Sequence, residues 1–402
     1  MGTYNAAYNK KSVRDVDVSG KKVLLRCDFN VPLDKSSGSI TDEGRIVAAL
    51  PTIKYLLEQS AAVIACSHLG RPKGEFVLEF SLAPIADCLS KHLCKPVKMA
   101  KDVVGVDAVA LAEVLEPGEI MLIENTRFHK EEEKNDPEFA RKLAGLAELF
   151  VSDAFGSVHR AHASTEGVSH FLPAVSGFLL KKELDNIGGA ISAPKRPLVA
   201  ILGGAKVSDK LGVIANLVKI ADSIIIGGGM AYTFFKAKGG SVGKSLCEDG
   251  EIENVLKMLE AAQGSGVKIL LPCDSVAGLE LSNDVEPETV DSDAIPVGMM
   301  ALDIGPKATK EFVSEITGAG TIVWNGPMGV FEFPKFAEGT KAVANAVAQS
   351  GAISIIGGGD SAAAIRKFGL EDKITHISTG GGASLEFMEG KVLPGIACLL
   401  DA

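Results

Sequence analysis

Leu198-Val199-Ala200-Ile201-Leu202-Gly203-Gly204-Ala205-Lys206 is the stretch on which the reading of this chain turns. Five apolar residues with no polar alternation describe a strand covered on both faces, as in parallel sheets sandwiched by helices. The glycines behind it permit positive φ and let backbone N–H groups come close to a ligand. The pattern recurs at Ile224–Ile226 into Gly227-Gly228-Gly229, at Ile353–Ile356 into Gly357-Gly358-Gly359-Asp360, and at Ile377–Thr379 into Gly380-Gly381-Gly382. A glycine turn that opens a helix adds the partial positive charge of the helix N-terminus, which favours phosphate. Four such turns, each at the carboxyl end of an expected strand, point to a site on the scale of a nucleotide.

Working outward, apolar runs alternate with helical patterns on both sides. The second half predicts helices over Val207–Ile220, Met230–Lys238, Ile252–Ala262, Glu338–Ser350 and Ser361–Phe368, with further strands at Lys268–Leu271 and Thr321–Trp324. The first half predicts strands at Val23–Leu25, Val63–Cys66, Ile120–Ile123 and Phe150–Val151. Its helices are Glu43–Gln59, with a kink at Pro51 and an N-cap in Thr41-Asp42-Glu43, then Leu82–Leu93 and Pro137–Leu149. Such alternation indicates an α/β fold with parallel sheets. At 402 residues the chain exceeds the usual size of one core, so two domains are expected. The alternation breaks at the polar stretch Lys181–Pro197, after a helix around Gly177–Gly188. This places an N-terminal domain at 1–180 and a C-terminal one at 181–402. The acidic, poorly periodic segment Asp274–Pro296 reads as an elaborated loop or a small antiparallel insertion.

Composition excludes several classes. No apolar run reaches the roughly 18 residues of a membrane span, and Met1–Lys11 lacks the apolar core of a signal peptide. A net charge of −10 argues against nucleic acid or an anionic membrane surface as a partner. Seven cysteines without a C-x-x-C pair fit reduced, mostly buried thiols and a cytoplasmic location rather than disulfides or a zinc site. Charge is also partitioned. The first 170 residues hold seven of nine arginines and six of seven histidines. Arginine suits bidentate capture of carboxylate and phosphate. An arginine-rich half and a glycine-rich half read as two sites for two different anions.

In open parallel sheets ligands bind beyond the carboxyl ends of the strands. The charged residues of the first half gather there. Arg26, Asp28 and Asn30 follow the first strand, and Ser67-His68-Leu69-Gly70-Arg71-Pro72 follows the second. Glu124-Asn125-Thr126-Arg127-Phe128-His129 follows the third, and Ser152-Asp153 with His159-Arg160-Ala161-His162 follows the fourth. Arg45 starts the first long helix at the same edge. Scattered surface charge would not favour one edge four times over, so a basin for a small anionic substrate is the better reading. In the second half Lys206 and Lys210, four apart, are expected on one helical face beginning at Gly203-Gly204. Asp360 could cap a helix or hold Mg²⁺ against a phosphate. The turn Trp324-Asn325-Gly326-Pro327-Met328-Gly329-Val330-Phe331-Glu332 could line a nucleoside pocket or serve structure alone. There is no G-x-G-x-x-G after the first strand, no P-loop and no nucleophile–base pair. His159 and His162 lack further ligands for a metal set.

Taken together, Arg26-Cys27-Asp28-Phe29-Asn30-Val31-Pro32, Ser67–Pro72, Glu124–His129, Gly203-Gly204-Ala205-Lys206-Val207-Ser208-Asp209-Lys210, Trp324-Asn325-Gly326-Pro327 and Gly357–Asp360 resemble the motif set of the phosphoglycerate kinases, in that family's order and spacing. Thr126 and Gly240 depart from the usual residues without touching the chemistry. The resemblance implies two Rossmann-like domains joined by a hinge helix, with the active-site cleft between them and about 386–402 returning to the N-terminal domain. It implies reversible phosphoryl transfer between MgATP and the 1-carboxylate of 3-phosphoglycerate by a monomer. Asp28, Asn30, Arg45, His68, Arg71, Arg127 and Arg160 would hold the acid substrate, with Arg45, Lys206 and Lys210 catalytic. Gly204, Ala205, Lys206, Lys210, Gly228, Gly229, Ala301, Asn325, Gly326, Glu332, Gly357, Gly358, Gly359, Asp360 and Ser361 would bind nucleotide, Asp360 also carrying Mg²⁺. A dinucleotide-dependent oxidoreductase and a non-catalytic anion-binding protein are the alternatives. The first lacks its glycine fingerprint, and intact Arg45, Lys206, Lys210 and Asp360 argue against the second.

Overall fold

In the computed structural model, which describes residues 8–34 and 36–402, the apolar runs become two six-stranded parallel sheets. The chain divides into two units, one of Met1–Asp185 with Val392–Ala402, the other of Asn186–Lys391. Unit one contains β1 (Lys22–Cys27), β2 (Ala62–Cys66), β3 (Val97–Met99), β4 (Ile120–Leu122), β5 (Leu149–Asp153) and β6 (Ala174–Ser176), in the order β3-β4-β2-β1-β5-β6. Its helices are α1 (Gly44–Glu58), α2 (Ala83–Leu93), α3 (Val106–Glu113), α4 (Pro137–Ala144) and α5 (Phe178–Glu183). β1 lies between β2 and β5, with Val23 beside both Val63 and Leu149. Because it is flanked and covered on both faces, it is buried from Val23 to Cys27. α1 supplies the helical stripe Ile46, Ala49, Leu50, Ile53, Leu56 and Leu57, packed in one core with Val23, Leu25, Val63 and Ala65.

α1 continues through Pro51 without interruption. The carbonyl that loses its donor belongs to Val47, which is 46% exposed, so water can serve it. The expected N-cap is also different: Glu43 occupies the cap position without a side-chain bond, and Asp42 Oδ1 accepts from Gly44 N at 2.7 Å.

Unit two contains β7 (Leu198–Leu202), β8 (Ser223–Ile226), β9 (Ser241–Val242), β10 (Lys268–Leu270), β11 (Asp274–Gly278), β12 (Glu288–Asp291), β13 (Ala294–Ile295), β14 (Met300–Ile304), β15 (Thr321–Asn325), β16 (Ile353–Gly357) and β17 (His376–Ile377). The main sheet runs β10-β8-β7-β15-β16-β17. Its helices are α6 (Leu211–Leu217), α7 (Ala231–Ala237), α8 (Ile252–Ser265), α9 (Pro306–Thr317), α10 (Glu338–Gln349), α11 (Gly359–Lys367) and α12 (Gly382–Met388). The acidic segment after Asp274 folds as an antiparallel sheet in the order β12-β11-β14. In each main sheet the strand order reverses beside one strand, at β1/β5 and at β7/β15, and that is where an open α/β sheet leaves a crevice.

Several expectations are corrected. The helix predicted over Val207–Ile220 begins at Leu211, after a 3₁₀ turn at Ser208–Lys210. Glu248 holds that turn by accepting from Ser208 N at 2.9 Å and Ser208 Oγ at 2.7 Å. α4 stops at Ala144 because Leu149 already belongs to β5. The polar stretch after Lys181 stays helical to Ser192, through a π turn at Leu184–Gly188. Only Cys27, Cys66 and Cys88 of the seven free cysteines are buried, so the thiols are not mostly interior. Among the described residues no helix is long and apolar enough to cross a membrane.

Within unit one, Val392–Ala402 packs on the first sheet's end. Leu400 N donates to Ala174 O at 2.9 Å and Gly395 N to Val158 O at 2.9 Å. Lys10 Nζ reaches Leu399 O at 3.0 Å and Asp401 at 2.6 Å.

Candidate functional site

Arg26 is the last residue of β1 paired with β2 and is 1% exposed, an unusual place for a guanidinium. Every direction of its fork is used. Nε donates to Ser164 Oγ at 2.9 Å, Nη1 to Cys27 O, and Nη2 to His68 Nδ1 at 3.0 Å. The charge is answered through Ser164, whose amide donates to the fully buried Glu132 at 2.9 Å and whose hydroxyl donates to the same carboxylate. Arginine only donates, so His68 Nδ1 must accept, and the ring proton sits on Nε2. Burial, then the charges of Arg26, Arg127 and Arg45, holds the His68 pKa well below its usual value. His68 is therefore a neutral N–H donor among cations.

The loop after β2 is held by close fit. Gly70 has φ +63°, and a Cβ there would lie 2.5 Å from the Phe80 ring. Its amide donates to Asn30 Oδ1 at 2.8 Å and its carbonyl accepts from Arg127 Nη1 at 3.0 Å. Asn125, fully buried, clamps the same loop by donating to Leu69 O at 2.7 Å and Phe80 O at 2.9 Å. Arg127 also pairs with Glu133 at 3.3 Å. Arg45 Nη1 lies 2.8 Å from both oxygens of Asp28. His162, 9% exposed, is driven down to about 4 by burial and by Arg127, Arg26 and Arg160. Arg26 and Arg127 thus lie near enough to act on both imidazoles, Arg45 on His68 and Arg160 on His162. Arg160 is exposed, with Nε 3.1 Å from His159 Nε2. Arg71 is exposed on the Gly70 loop and has no ion pair among the described residues.

Unit two meets its switch point with glycine. Gly204 N donates to Pro327 O and Gly228 N to Met328 O, both at 3.0 Å. A Cβ on Gly228, whose φ is +65°, would sit 2.5 Å from Gly204 N. The amides of Gly203, Gly204, Gly227 and Gly228 all donate to backbone carbonyls. These glycines thus build a tight shelf by strand-end packing instead of presenting free N–H groups to a ligand. The charge comes from Lys210, 8% exposed, whose Nζ lies 3.9 Å from the Cβ position of Gly204. Burial lowers its pKa, against the carboxylates of Asp209 and Asp360. Lys206 is exposed in the loop before the 3₁₀ turn, so the two lysines do not share a helical face.

Asn325 closes β15 with its side chain buried and its Nδ2 without a hydrogen-bond partner. A Cβ on Gly358 would be 3.0 Å from that nitrogen. An orphaned buried amide costs about 1–3 kcal/mol unless a ligand completes it. Ser361 Oγ accepts from Gly326 N at 2.6 Å, tying the Asn325 turn to α11. Asp360 is exposed in the first turn of α11, whose N-cap is Gly358 with no side-chain bond. The capping alternative for Asp360 is therefore removed. Ala301 N donates to Ser245 Oγ at 2.9 Å, and Val330 N to Leu302 O at 2.8 Å brings the exposed Glu332 segment alongside β14. Gly229 and Ala205 flank the shelf, the Cβ position of Gly229 being 3.1 Å from Ala205 O.

Sequence reasoning missed Glu132 and Ser164, which hold Arg26. Glu132 stands in the run Lys130-Glu131-Glu132-Glu133-Lys134, where nothing local separates the buried glutamate from its more accessible neighbours.

The chain has a cation cluster at one switch point and a lysine, an unpaired amide and a carboxylate at the other. Known proteins are similar to it over nearly their whole length. It is 56% identical over 396 residues to a phosphoglycerate kinase of Clostridium novyi, covering 98% of this chain and 99% of that protein. It is 55% identical over 398 residues to one of Clostridium tetani, again covering 98% and 99%. Among solved structures, the phosphoglycerate kinase of Coxiella burnetii aligns with TM-score 0.91 and 45% identity over 97% of this chain and 98% of that one. That of Pyrococcus horikoshii aligns with TM-score 0.78 and 33% identity over the same shares. The family model described as phosphoglycerate kinase matches residues 13–391, and the chain belongs to the phosphoglycerate kinase family.

Proposed function

We propose that this protein transfers a phosphoryl group reversibly between MgATP and the 1-carboxylate of 3-phosphoglycerate, with ADP and 1,3-bisphosphoglycerate as the other pair. Family membership supports the reaction. The observation that carries the residue assignment is the separation of two anion sites: a basin of guanidinium and neutral imidazole in unit one, a glycine shelf with Lys210 and the spare Asn325 amide in unit two.

On this reading Asp28, Asn30, Arg45, His68, Arg71, Arg127 and Arg160 hold the acid substrate. His68 contributes a donor without a charge, because Arg26 fixes its tautomer. Arg45 faces the phosphoryl group in flight, and Asp28 holds its fork in position. Lys206 and Lys210 meet the nucleotide phosphates and the transferred group. Gly204, Ala205, Gly228, Gly229, Gly326 and Gly357–Gly359 shape the shelf, and Ser361 fixes it from below. Asn325 and Ala301 border the nucleoside, with Glu332 at the ribose.

The attacking carboxylate is ionised at neutral pH, so the chemistry needs no general base. Phosphoryl transfer depends on positioning and charge neutralisation. The two anions are held on different units, so transfer requires that they be brought together with water excluded. A hard cation such as Mg²⁺ takes one or two carboxylates and completes its shell with phosphate oxygens and water. Asp360, exposed and free of any capping bond, fits that demand. Asp360 would hold Mg²⁺, which would supply charge neutralisation to the phosphates. The reading extends to a cytoplasmic monomer without nucleic-acid or membrane partners, the net charge of −10 speaking only to the last two.

ADP formation from ATP, measured with and without 3-phosphoglycerate in a coupled assay, tests the reaction. Turnover dependent on the acid supports it. NAD-dependent turnover, or ligand binding without turnover, would move the protein to one of the other classes.

A further inference from the structure

Outside both anion sites, one end of the α1–α2 pair gathers three metal-ligating side chains. Glu43, the N-cap residue of α1, reaches toward α2, where His92 Nε2 lies 2.8 Å from its Oε2. The Cys88 thiol, buried on α2, lies close to the same carboxylate. One donor atom from each of the three lies within 4.8 Å of the others. Cys88 and His92 are four apart on α2, so they project from one face, one turn above the other. We propose that Glu43, Cys88 and His92 form a binding site for a borderline-soft divalent cation of the zinc class.

The donor set argues for that class. Thiolate, imidazole and carboxylate are the ligands of Zn²⁺ and Co²⁺, whereas Mg²⁺ prefers oxygen donors and retains its water. Tetrahedral bonds of about 2.0–2.3 Å place donors roughly 3.5 Å apart, so only side-chain rotation separates the observed cluster from a ligand set. Three protein ligands leave one position for water. His92 and Glu43 have side chains 31% and 49% exposed, which gives an ion a route to the buried sulfur beneath them. Binding exchanges the Cys88 S–H bond for a metal–sulfur bond and passes that proton to solvent. His92 gives up its Nε2–H contact with Glu43, and the ring proton passes by way of solvent to Nδ1, so that the Nε2 lone pair of the neutral ring is free for the metal.

Burial and Glu43 push the Cys88 thiol up to about 11, and the ammonium of Lys91 is the nearby positive charge. The plainer reading is a Glu43–His92 ion pair over an inert thiol, and it makes the opposite forecast for metal.

Titration of the metal-free full-length chain with Co²⁺ decides between them. One Co²⁺ per chain should bind with a sulfur-to-cobalt charge-transfer band and release of about one proton. Zn²⁺ should displace it and excess Mg²⁺ should not. Cys88→Ser should abolish the band, and His92→Asn, a change at a partly open position, should weaken binding at least about tenfold. Cys94→Ser, which removes the exposed thiol at the end of α2, should leave band and affinity intact. Thermal melts of each variant confirm folding. Absence of the band in the parent chain, its survival in folded Cys88→Ser, its loss in Cys94→Ser, or unchanged affinity in His92→Asn overturns the site.

Discussion

At the scale of single residues, Arg45 and its neighbours have different expected roles. Arg71 and Arg127 would share the charge of bound substrate, so losing Arg71 should mainly raise KM. Arg45 would meet charge that exists only in the transition state, and loss of such a contact lowers kcat and kcat/KM together. Arg45→Ala should cost on the order of 10³-fold in kcat, about 4 kcal/mol. Arg45→Lys should recover little, since an ammonium cannot span two oxygens as the guanidinium fork does. Steady-state kinetics of Arg45→Ala beside Arg71→Ala check this, and a mere rise in KM at unchanged kcat removes the role. Asp303 offers a second test. Its buried carboxyl accepts from Gly339 N at 2.7 Å and Ile304 N at 2.9 Å, yet burial raises its pKa to about 7. A folded pKa raised above the unfolded value means that the folded state binds the extra proton. Its stabilisation is complete below about pH 4 and is lost as pH rises through about 7. Acidification from pH 8 to 5 should therefore stabilise unit two through this residue by up to a few kcal/mol, since each tenfold difference in proton affinity is worth ~1.4 kcal/mol. Asp303→Asn should flatten that slope in calorimetry. Most of the proposed substrate-facing residues were readable from sequence, because charge after an apolar strand announces a site. Their supports were not: Glu132, Ser164 and the Arg26–His68 bond depend on burial that only the packed chain creates.

At the scale of elements, the apolar runs declared the parallel strands because continuous hydrophobicity has few other uses at that length. What escaped is instructive. β3 is a half-buried strand of three residues, too short to show a period. α9 has no local cap, since Asp274 supplies acceptors to Lys307 N at 3.1 Å and Ala308 N at 2.8 Å from far back in the sequence. The four glycine turns looked alike yet differ: Gly359 and Gly382 open α11 and α12 directly, whereas Gly203-Gly204 enters a loop and a 3₁₀ turn. Spacing of four therefore misled for Lys206 and Lys210, because Glu248 diverts the chain between them and α6. α11 carries its own forecast. Asp360 makes no cap bond, so Asp360→Ala should forfeit the interaction of an acid with the helix dipole, about 0.3–1 kcal/mol, and its attraction to Lys210. Its use of Mg²⁺-nucleotide should fall much further, with acid-substrate affinity unchanged. Melting curves and nucleotide kinetics on the same variant separate the effects, and normal kinetics would withdraw Asp360 from the metal.

At the scale of the whole molecule, each unit has its own sheet, core and switch point, and the two should be separable. A fragment of residues 186–391 should fold and bind ADP, and one of residues 1–185 should bind 3-phosphoglycerate once supplied with residues 392–402. Without that segment it loses the bonds of Leu400 to Ala174 and Gly395 to Val158 and the Lys10–Asp401 pair. A peptide of residues 392–402 added in trans should raise the melting temperature of the first fragment and leave the second unmoved. Calorimetry with both ligands checks this, and nucleotide binding by the first fragment would overturn the assignment of sites. The arrangement also bears on synthesis. A chain emerging from the ribosome exposes the first sheet early, but the segment that completes it is translated only after every residue of unit two. The domain begun first is the one finished last, and its incomplete edge must stay unaggregated through the making of its neighbour.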